Sequence, residues 1–420
     1  MMTIAEKILA RASGRSKVSP NDFVVAKVDL AMMPGGLPGA IRTLTKAGIE
    51  EKYFKLWDPE KVVISLDHGV PATTAASAEG HKRAREAAKK YGMKHYYDVY
   101  AGICHQVIHE KGHIVPGMLI LGQDSHTTTY GALNVAATGI GISEMAYVLM
   151  TGELWLRVPE TIKIETTGKL PPYVYSKDII LEVGGKYGTD VAQYKAIEWT
   201  GSAIDAISLD GRFTMGNMSV ELGAKFGIFK ADQKTIDYVK ARSKKKFTPV
   251  EADPDAVYSQ TIVIDGSKLD PKVALPHNVG NTTNARDAKN IKIDQAQIGC
   301  CCNGRMEDLE TAAAIIKGKK VAPGVRFFIS PASWEIYKEA VNKGIMSTLL
   351  EAGAMIMEPY CGICTGYSGN LAAGEKCISA TTRNFKGRMG SPQADIFLGS
   401  PATVTASAIT GRITDPREVV

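Results

Sequence analysis

An α/β fold with largely parallel strands is the architecture this sequence predicts, on two observations. Short apolar runs rich in β-branched residues alternate with longer amphipathic stretches along the chain, the rhythm of strands joined by crossover helices. Four of those runs also end directly in reactive side chains, and open parallel sheets gather ligands at the carboxyl ends of their strands. At 420 residues the chain exceeds one ordinary domain, so two or three cores are expected. Boundaries near "RVPETIKI" and "NARDAKNIKI" divide it into 1–158, 159–285 and 286–420.

Taken in order, "MMTIAEKILARASG" places Glu6, Lys7 and Arg11 among apolar residues and reads as an amphipathic helix, not a signal peptide. "KVVISL" (61–66) is a strand followed at once by Asp67 and His68. "HKRAREAAKKYG" has the spacing of a solvated helix face. "GMLILG" (117–122) leads into Asp124, Ser125 and His126, and the stretch continuing as "SEMAYVLMTGELWL" is expected to be helical. "ATGIGISE" lacks the spacing of a dinucleotide or phosphate loop, so its glycines serve a turn or close packing. "ARSKKKF" (241–247) reads as an exposed connection. "QAQIG" (295–299) is a strand that delivers Cys300, Cys301 and Cys302, with a helix expected over "MEDLETAAAIIKG". "GAMIM" (353–357) leads into "EPYCGICTG", with Cys361 and Cys364. A single strand-end histidine or cysteine is usually a packing residue. Four such ends point to a shared site.

Composition excludes several classes. The chain is 45% hydrophobic and 22% charged, a globular balance. No apolar run reaches membrane-spanning length, and seven cysteines clustered late are not a secreted disulfide framework. A cytoplasmic location is therefore expected. The net charge of +6 is mild, and without a nucleic-acid motif it implies no nucleic-acid partner.

The cysteines admit three readings. A thioredoxin-like pair at Cys361 and Cys364 lacks its usual context. A four-ligand zinc site would need adjacent cysteines to chelate one ion, a poor geometry because neighbouring side chains diverge. An iron–sulfur cluster held by one cysteine of the trio with Cys361 and Cys364 would leave one iron open to substrate. That third reading also gives the histidines a purpose. Dehydrating a hydroxy acid takes a Lewis acid on the hydroxyl, a proton donor to it, and a base for the adjacent C–H. The Asp-His and Asp-Ser-His strand ends and "GICHQ", with His105, offer the donors. Arg383 and Arg388 in "RNFKGR" offer guanidinium forks for carboxylates.

The series "DHGVP", "GICHQ", "GQDSHTTTYGA", "GNMSVELGA", "IGCCCNGRMEDL", "CGICTG" and "RNFKGRMG" resembles, in order and over nearly the whole chain, the aconitase superfamily. The likeness is to the separate large subunits of its 3-isopropylmalate dehydratase and homoaconitase group. The family pattern I-G-S-C-T-N-G-R aligns its cluster cysteine with Cys301, leaving Cys300 and Cys302 at its Ser and Thr positions. The resemblance implies three α/β/α domains around a [4Fe–4S] cluster on Cys301, Cys361 and Cys364. It makes His68, supported by Asp67, the donor to the substrate hydroxyl, with Asp124, His126 and His105 in its hydrogen-bonding network. It sets Asn217 and Glu221 near the open iron, where their spacing would share one helix face, and gives Ser125, Arg383 and Arg388 to substrate binding. It also implies a small partner subunit carrying the swivelling fourth domain and a catalytic serine. The substrate would be a di- or tricarboxylate, 3-isopropylmalate first, then homoaconitate or dimethylmalate. An iron-responsive binding protein on the same scaffold is the non-enzyme alternative. Three departures bear on substrate: "DLAMMPGGLPG" lacks the usual acidic and histidine pair, Ile363 replaces proline in C-G-P-C, and Thr382 replaces asparagine before R-N-F.

Overall fold

The computed structural model describes residues 1–420. Three mainly parallel sheets and one antiparallel ribbon carry the chain. The first sheet has the spatial order His95–Tyr97, Val62–Ser65, Leu30–Met33, Leu119–Gly122, Ala136–Gly139, all parallel. Its inner strands are buried on both faces, which is why they read as continuous apolar runs without alternation. The chain fills one side of Leu30–Met33, then the other. Asp67 and Asp124 therefore follow the two strands flanking that central one, at the switch point where parallel sheets form their crevice.

A second parallel sheet orders Phe226–Phe229, Ala196–Thr200, Thr161–Thr167 and Gln260–Asp265. The third has seven strands. Lys376–Ser379, Gln295–Gly299, Arg326–Ser330 and Met355–Ile356 lie parallel in that order, Asp395–Gly399 adds parallel to the first of them, and Lys272–Ala274 and Thr282–Asn284 close the edge antiparallel. Gln295–Gly299 sits at the reversal of this sheet, as Leu30–Met33 does in the first. The trio thus leaves Gln295–Gly299, the Arg383 segment the strand beside it, and the C-x-x-C loop the edge strand two places to the other side. The largest apolar core takes side chains from all three sheets, among them Ile120, Ile164 and Leu398.

The amino-terminal helix forms as expected, over Ile4–Ser13, with Thr3 and Glu6 in a reciprocal cap. Met306–Ile316 is likewise a helix, its start fixed by Asp308 accepting from the Arg305 N–H. One expected helix is cut short. The helix over "SEMAYVLMTGELWL" ends at Thr151, where Gly152 takes a left-handed conformation (φ 73°), and Glu153–Arg157 is a strand paired antiparallel with Phe23–Lys27. The alternating burial of that strand reflects a partner distant in sequence, which local helical spacing does not register. No helix is long and apolar enough to cross a membrane.

Candidate active site

Asp67 is buried, and both of its oxygens are committed. Oδ1 lies 2.7 Å from His68 Nδ1, and Oδ2 accepts from the Cys104 N–H at 2.8 Å, the first residue of helix Cys104–Glu110. A helix amino end favours a carboxylate, so the helix that carries His105 also anchors Asp67. Burial alone would lower the His68 imidazole, but the Asp67 charge and hydrogen bond outweigh it and raise it to about 9, assisted by Asp124 and Cys364. The Asp67 carbonyl also accepts from the Cys361 N–H at 2.9 Å, which ties the C-x-x-C loop to this strand end.

Beyond Asp67 and His68, the acid–histidine pairs follow space and not sequence adjacency. His105 Nε2 lies 2.7 Å from Asp124 Oδ1, and its Nδ1 is 3.2 Å from the Tyr130 hydroxyl. Burial pushes Asp124 up, but His105 and His126 hold it well below the ordinary carboxylate range. His126 instead turns its Nε2 to Glu221 Oε1, at 2.9 Å. That same oxygen accepts from Arg383 Nε at 2.7 Å, and Arg383 also donates to Ser125 Oγ at 2.9 Å. Ser125, His126, Glu221 and Arg383 thus form one continuous network. Glu221 does not share an α-helix with Asn217: helix Leu209–Met218 tightens into a 3-10 turn over Ser219–Leu222. Both residues still reach the site, for Asn217 Nδ2 donates to Cys301 Sγ at 3.2 Å.

Cys300, Cys301, Cys361 and Cys364 pack in one small apolar cluster with Ile103, Phe328 and Ile363. Cys302 faces away into the large core, as diverging neighbours require. All seven cysteines are free. Hydrogen bonds from Cys300 and Cys361, with the Arg388 guanidinium at 3.3 Å, hold the Cys364 thiol well below its usual value although burial opposes this. Burial raises Cys301. No three His, Cys, Asp or Glu side chains surround one point as a single-ion site requires. The donor chemistry instead fits a polynuclear iron–sulfur group: several thiols lining one apolar recess, one favoured as thiolate, with a cation and an amide N–H directed at the sulfurs. The buried Asn217 Oδ1 has no partner in the protein.

Beside Glu221 and Arg383 opens a cavity of about 170 Å³, also lined by His277, Asn278, Asn384 and Phe385. A larger cleft, about 1310 Å³, lies elsewhere, along Asp29, Lys61 and Lys244 at the opposite ends of the first sheet's strands. Two residues escaped the reading of the sequence. Arg305 closes the "IGCCCNGR" motif and donates to the carbonyls of Cys301 and Cys302; its place in that motif was the signal. Lys177, wholly buried beside Cys302, carries no signal in a single sequence.

The sequence model of the aconitase family (aconitate hydratase) matches residues 45–290 and 277–411. The chain is 47% identical to the 3-isopropylmalate dehydratase large subunit 1 of Methanopyrus kandleri, over 99% of each chain. It is 47% identical to the corresponding large subunit of Moorella thermoacetica, over 100% of this chain and 99% of that one. The probable methanogen homoaconitase large subunit of Methanothermobacter thermautotrophicus is 44% identical, over 99% and 98%. Among solved structures, the holo form of Thermococcus kodakaraensis aconitase X aligns with a TM-score of 0.52, 12% identity and 88% coverage of each chain, a likeness of fold.

Proposed function

The chain belongs to the aconitase family, and we propose that it is the large subunit of a two-subunit hydro-lyase interconverting 2- and 3-isopropylmalate. The observation that carries this reading is the convergence of the Asp67–His68 pair, the Asp124–His105 pair and the His126–Glu221–Arg383 network around buried Cys301, Cys361 and Cys364. Relatives named for that activity match it end to end.

In this reading Cys301, Cys361 and Cys364 hold a [4Fe–4S] cluster, which when bound supplies a Lewis acid for the substrate hydroxyl. His68, protonated in the neutral range, gives its proton to the departing hydroxyl oxygen, and Asp67 fixes the ring by its Nδ1 so that Nε2 is the donor. The Asp124–His105 pair sets the hydrogen-bonding frame beside it. Arg383 and Arg388 orient carboxylates of a dicarboxylate substrate, with Ser125 and Asn217 completing the binding surface. Arg383 keeps a guanidinium nitrogen free, since Glu221 and Ser125 engage only Nε and one terminal nitrogen. No buried group among these is placed as a base for the C–H proton on the far face, and that role falls to a serine of the small subunit. In this reading the first two sheets fall within units 1–158 and 159–285 and the third within 286–420, apart from its edge strands Lys272–Ala274 and Thr282–Asn284, in a cytoplasmic enzyme.

Homoaconitase is the second reading, favoured by the 44% identical relative of that name and by the polar lining of the cavity beside Arg383, which suits a further carboxylate arm. Dimethylmalate dehydration is the third. The test is an assay of the anaerobically reconstituted chain with its small subunit against 3-isopropylmalate, homoaconitate and dimethylmalate. Turnover highest on 3-isopropylmalate is expected. Failure on all three by iron-loaded protein would overturn the substrate class and favour a binding or regulatory role.

A further inference from the structure

Lys177 and Arg305 are buried cations that meet no carboxylate. Lys177, the second residue of helix Ser176–Tyr187, is 0% exposed. Its Nζ donates to the carbonyls of Ala380 and Thr381, each at 2.6 Å, and to Asn303 Oδ1 at 3.2 Å, and lies 3.7 Å from Cys302 Sγ. Arg305 is 1% exposed. Its guanidinium donates to the carbonyls of Cys301 (2.6 Å) and Cys302 (2.7 Å) and to Gln106 Oε1 (3.2 Å), above the Phe213 ring. Every one of these acceptors is uncharged. The acids that feel the two cations, Asp178, Asp308, Asp210 and Glu307, are all pushed up by burial, the first two to about 7, and Asp308 already accepts from Asn303 and from the Arg305 N–H.

An unpaired buried charge is costly, and proteins retain one where a counter-charge answers it. Both cations act on the same short segment: Arg305 grips the backbone of Cys301 and Cys302, and Lys177 grips Asn303 and the strand end that leads to Arg383. Hydrogen bonding to carbonyls alone does not call for two full charges at this point, since neutral amide donors satisfy backbone carbonyls without the cost of burying a charge. Thiolate ligation supplies the missing sign. We propose that Lys177 and Arg305 form a fixed cationic cradle behind the cysteine turn, positioning Cys301 and offsetting the negative charge that thiolate ligation of an iron–sulfur cluster brings. The inference rests on the reading of Cys301, Cys361 and Cys364 as cluster ligands. Neither residue touches substrate in it; both act through the turn.

A cation beside a cluster stabilises the form that has gained an electron, so its removal has a sign. The experiment compares anaerobically reconstituted parent, Lys177→Met, Arg305→Gln and Arg305→Lys, each with the small subunit, by redox titration followed by electron paramagnetic resonance and by the rate of iron loss to a chelator. Lys177→Met and Arg305→Gln are expected to shift the midpoint potential downward and to lose iron faster. Arg305→Lys, which keeps the charge with a poorer fit, should stay close to the parent. Iron-loaded Lys177→Met and Arg305→Gln with the parent's potential and iron retention would overturn the cradle. Should Lys177→Met fail to fold, the two Arg305 variants decide alone: equal effects of Gln and Lys would show that shape and not charge matters, and would overturn it. A parent that takes up no iron would instead remove the cluster reading on which the cradle rests.

Discussion

Held protonated up to about pH 9 by Asp67, His68 is suited to act as an acid throughout the neutral range. His68→Asn is expected to lower turnover by about 10²–10⁴-fold, the usual share of general acid catalysis, while iron content stays at the parental level. Turnover of the parent should fall as pH rises through about 9, where the donor loses its proton. The same raised value contributes stability that is fully present below the ordinary imidazole value and is lost as pH rises through about 9, so the melting temperature should decline over that interval and His68→Asn should flatten the decline. The cysteines allow a second residue-level test. Cys301→Ser, Cys361→Ser and Cys364→Ser are each expected to abolish iron uptake, measured as iron per chain, whereas Cys302→Ser, at a side chain turned into the core, should retain it. Cys300 packs among the same thiols as Cys301, so uptake lost in Cys300→Ser and kept in Cys301→Ser would move the ligand by one position.

At the scale of elements, the site is an assembly of strand ends, and small residues set how closely those ends approach. A Cβ on Gly139 would stand 2.7 Å from the Asp124 carbonyl oxygen, and one on Gly299 would stand 2.4 Å from that of Ser330. "ATGIGISE" therefore needs its first glycine for the passage of the Asp124 loop over the neighbouring strand. Gly139→Ala is expected to destabilise the protein by about 1–3 kcal/mol, the typical cost of overpacking, read as a lowered melting temperature. It should also reduce activity beyond any loss of iron, because Asp124 and its hydrogen bond to His105 move together. Three of the four strand ends were legible because parallel strands buried on both faces leave apolar runs and place their reactive residues just after them; the fourth follows Met355–Ile356, a half-exposed edge strand legible only from its apolar residues. The strand Glu153–Arg157 was not, because its identity depends on pairing with Phe23–Lys27, a contact with no local signature.

Across the whole molecule, the site gathers groups from all three sheets. Asp67 and Asp124 come from the first, Glu221 from the segment before the second sheet's Phe226–Phe229, and the cysteines and Arg383 from the third. Such a constellation puts the proposed acid, arginines and ligands on one chain, with the C–H base proposed for a partner. The isolated iron-loaded chain is accordingly expected to be a poor catalyst, with dehydratase turnover rising on titration with its small subunit until the two are equimolar. Assembly would orient the two halves and exclude water between them, conditions under which positioning and electrostatics act most strongly on rate. Full turnover by the chain alone would show that the base lies within these 420 residues.

The sequence by itself determined the α/β class, the strand ends that carry the chemistry, and the family, because apolar periodicity and ordered motifs are properties of neighbours along the chain. It also pointed to Cys301, through the resemblance of "IGCCCNGR" to a pattern with a single cysteine. Beyond Asp67 and His68, only the tertiary structure decided which acid holds which histidine. Asp124 accepts from the backbone N–H of His126, two positions on, yet the ring it hydrogen-bonds is that of His105, and the His126 ring goes to Glu221, since the partner of a side chain is set by which loops meet at the crevice. The same holds for Lys177, an ordinary lysine at a helix start until packing buries it against the cysteine turn. Charges brought together from distant segments have no period and no motif, and folding alone brings them within reach of one another.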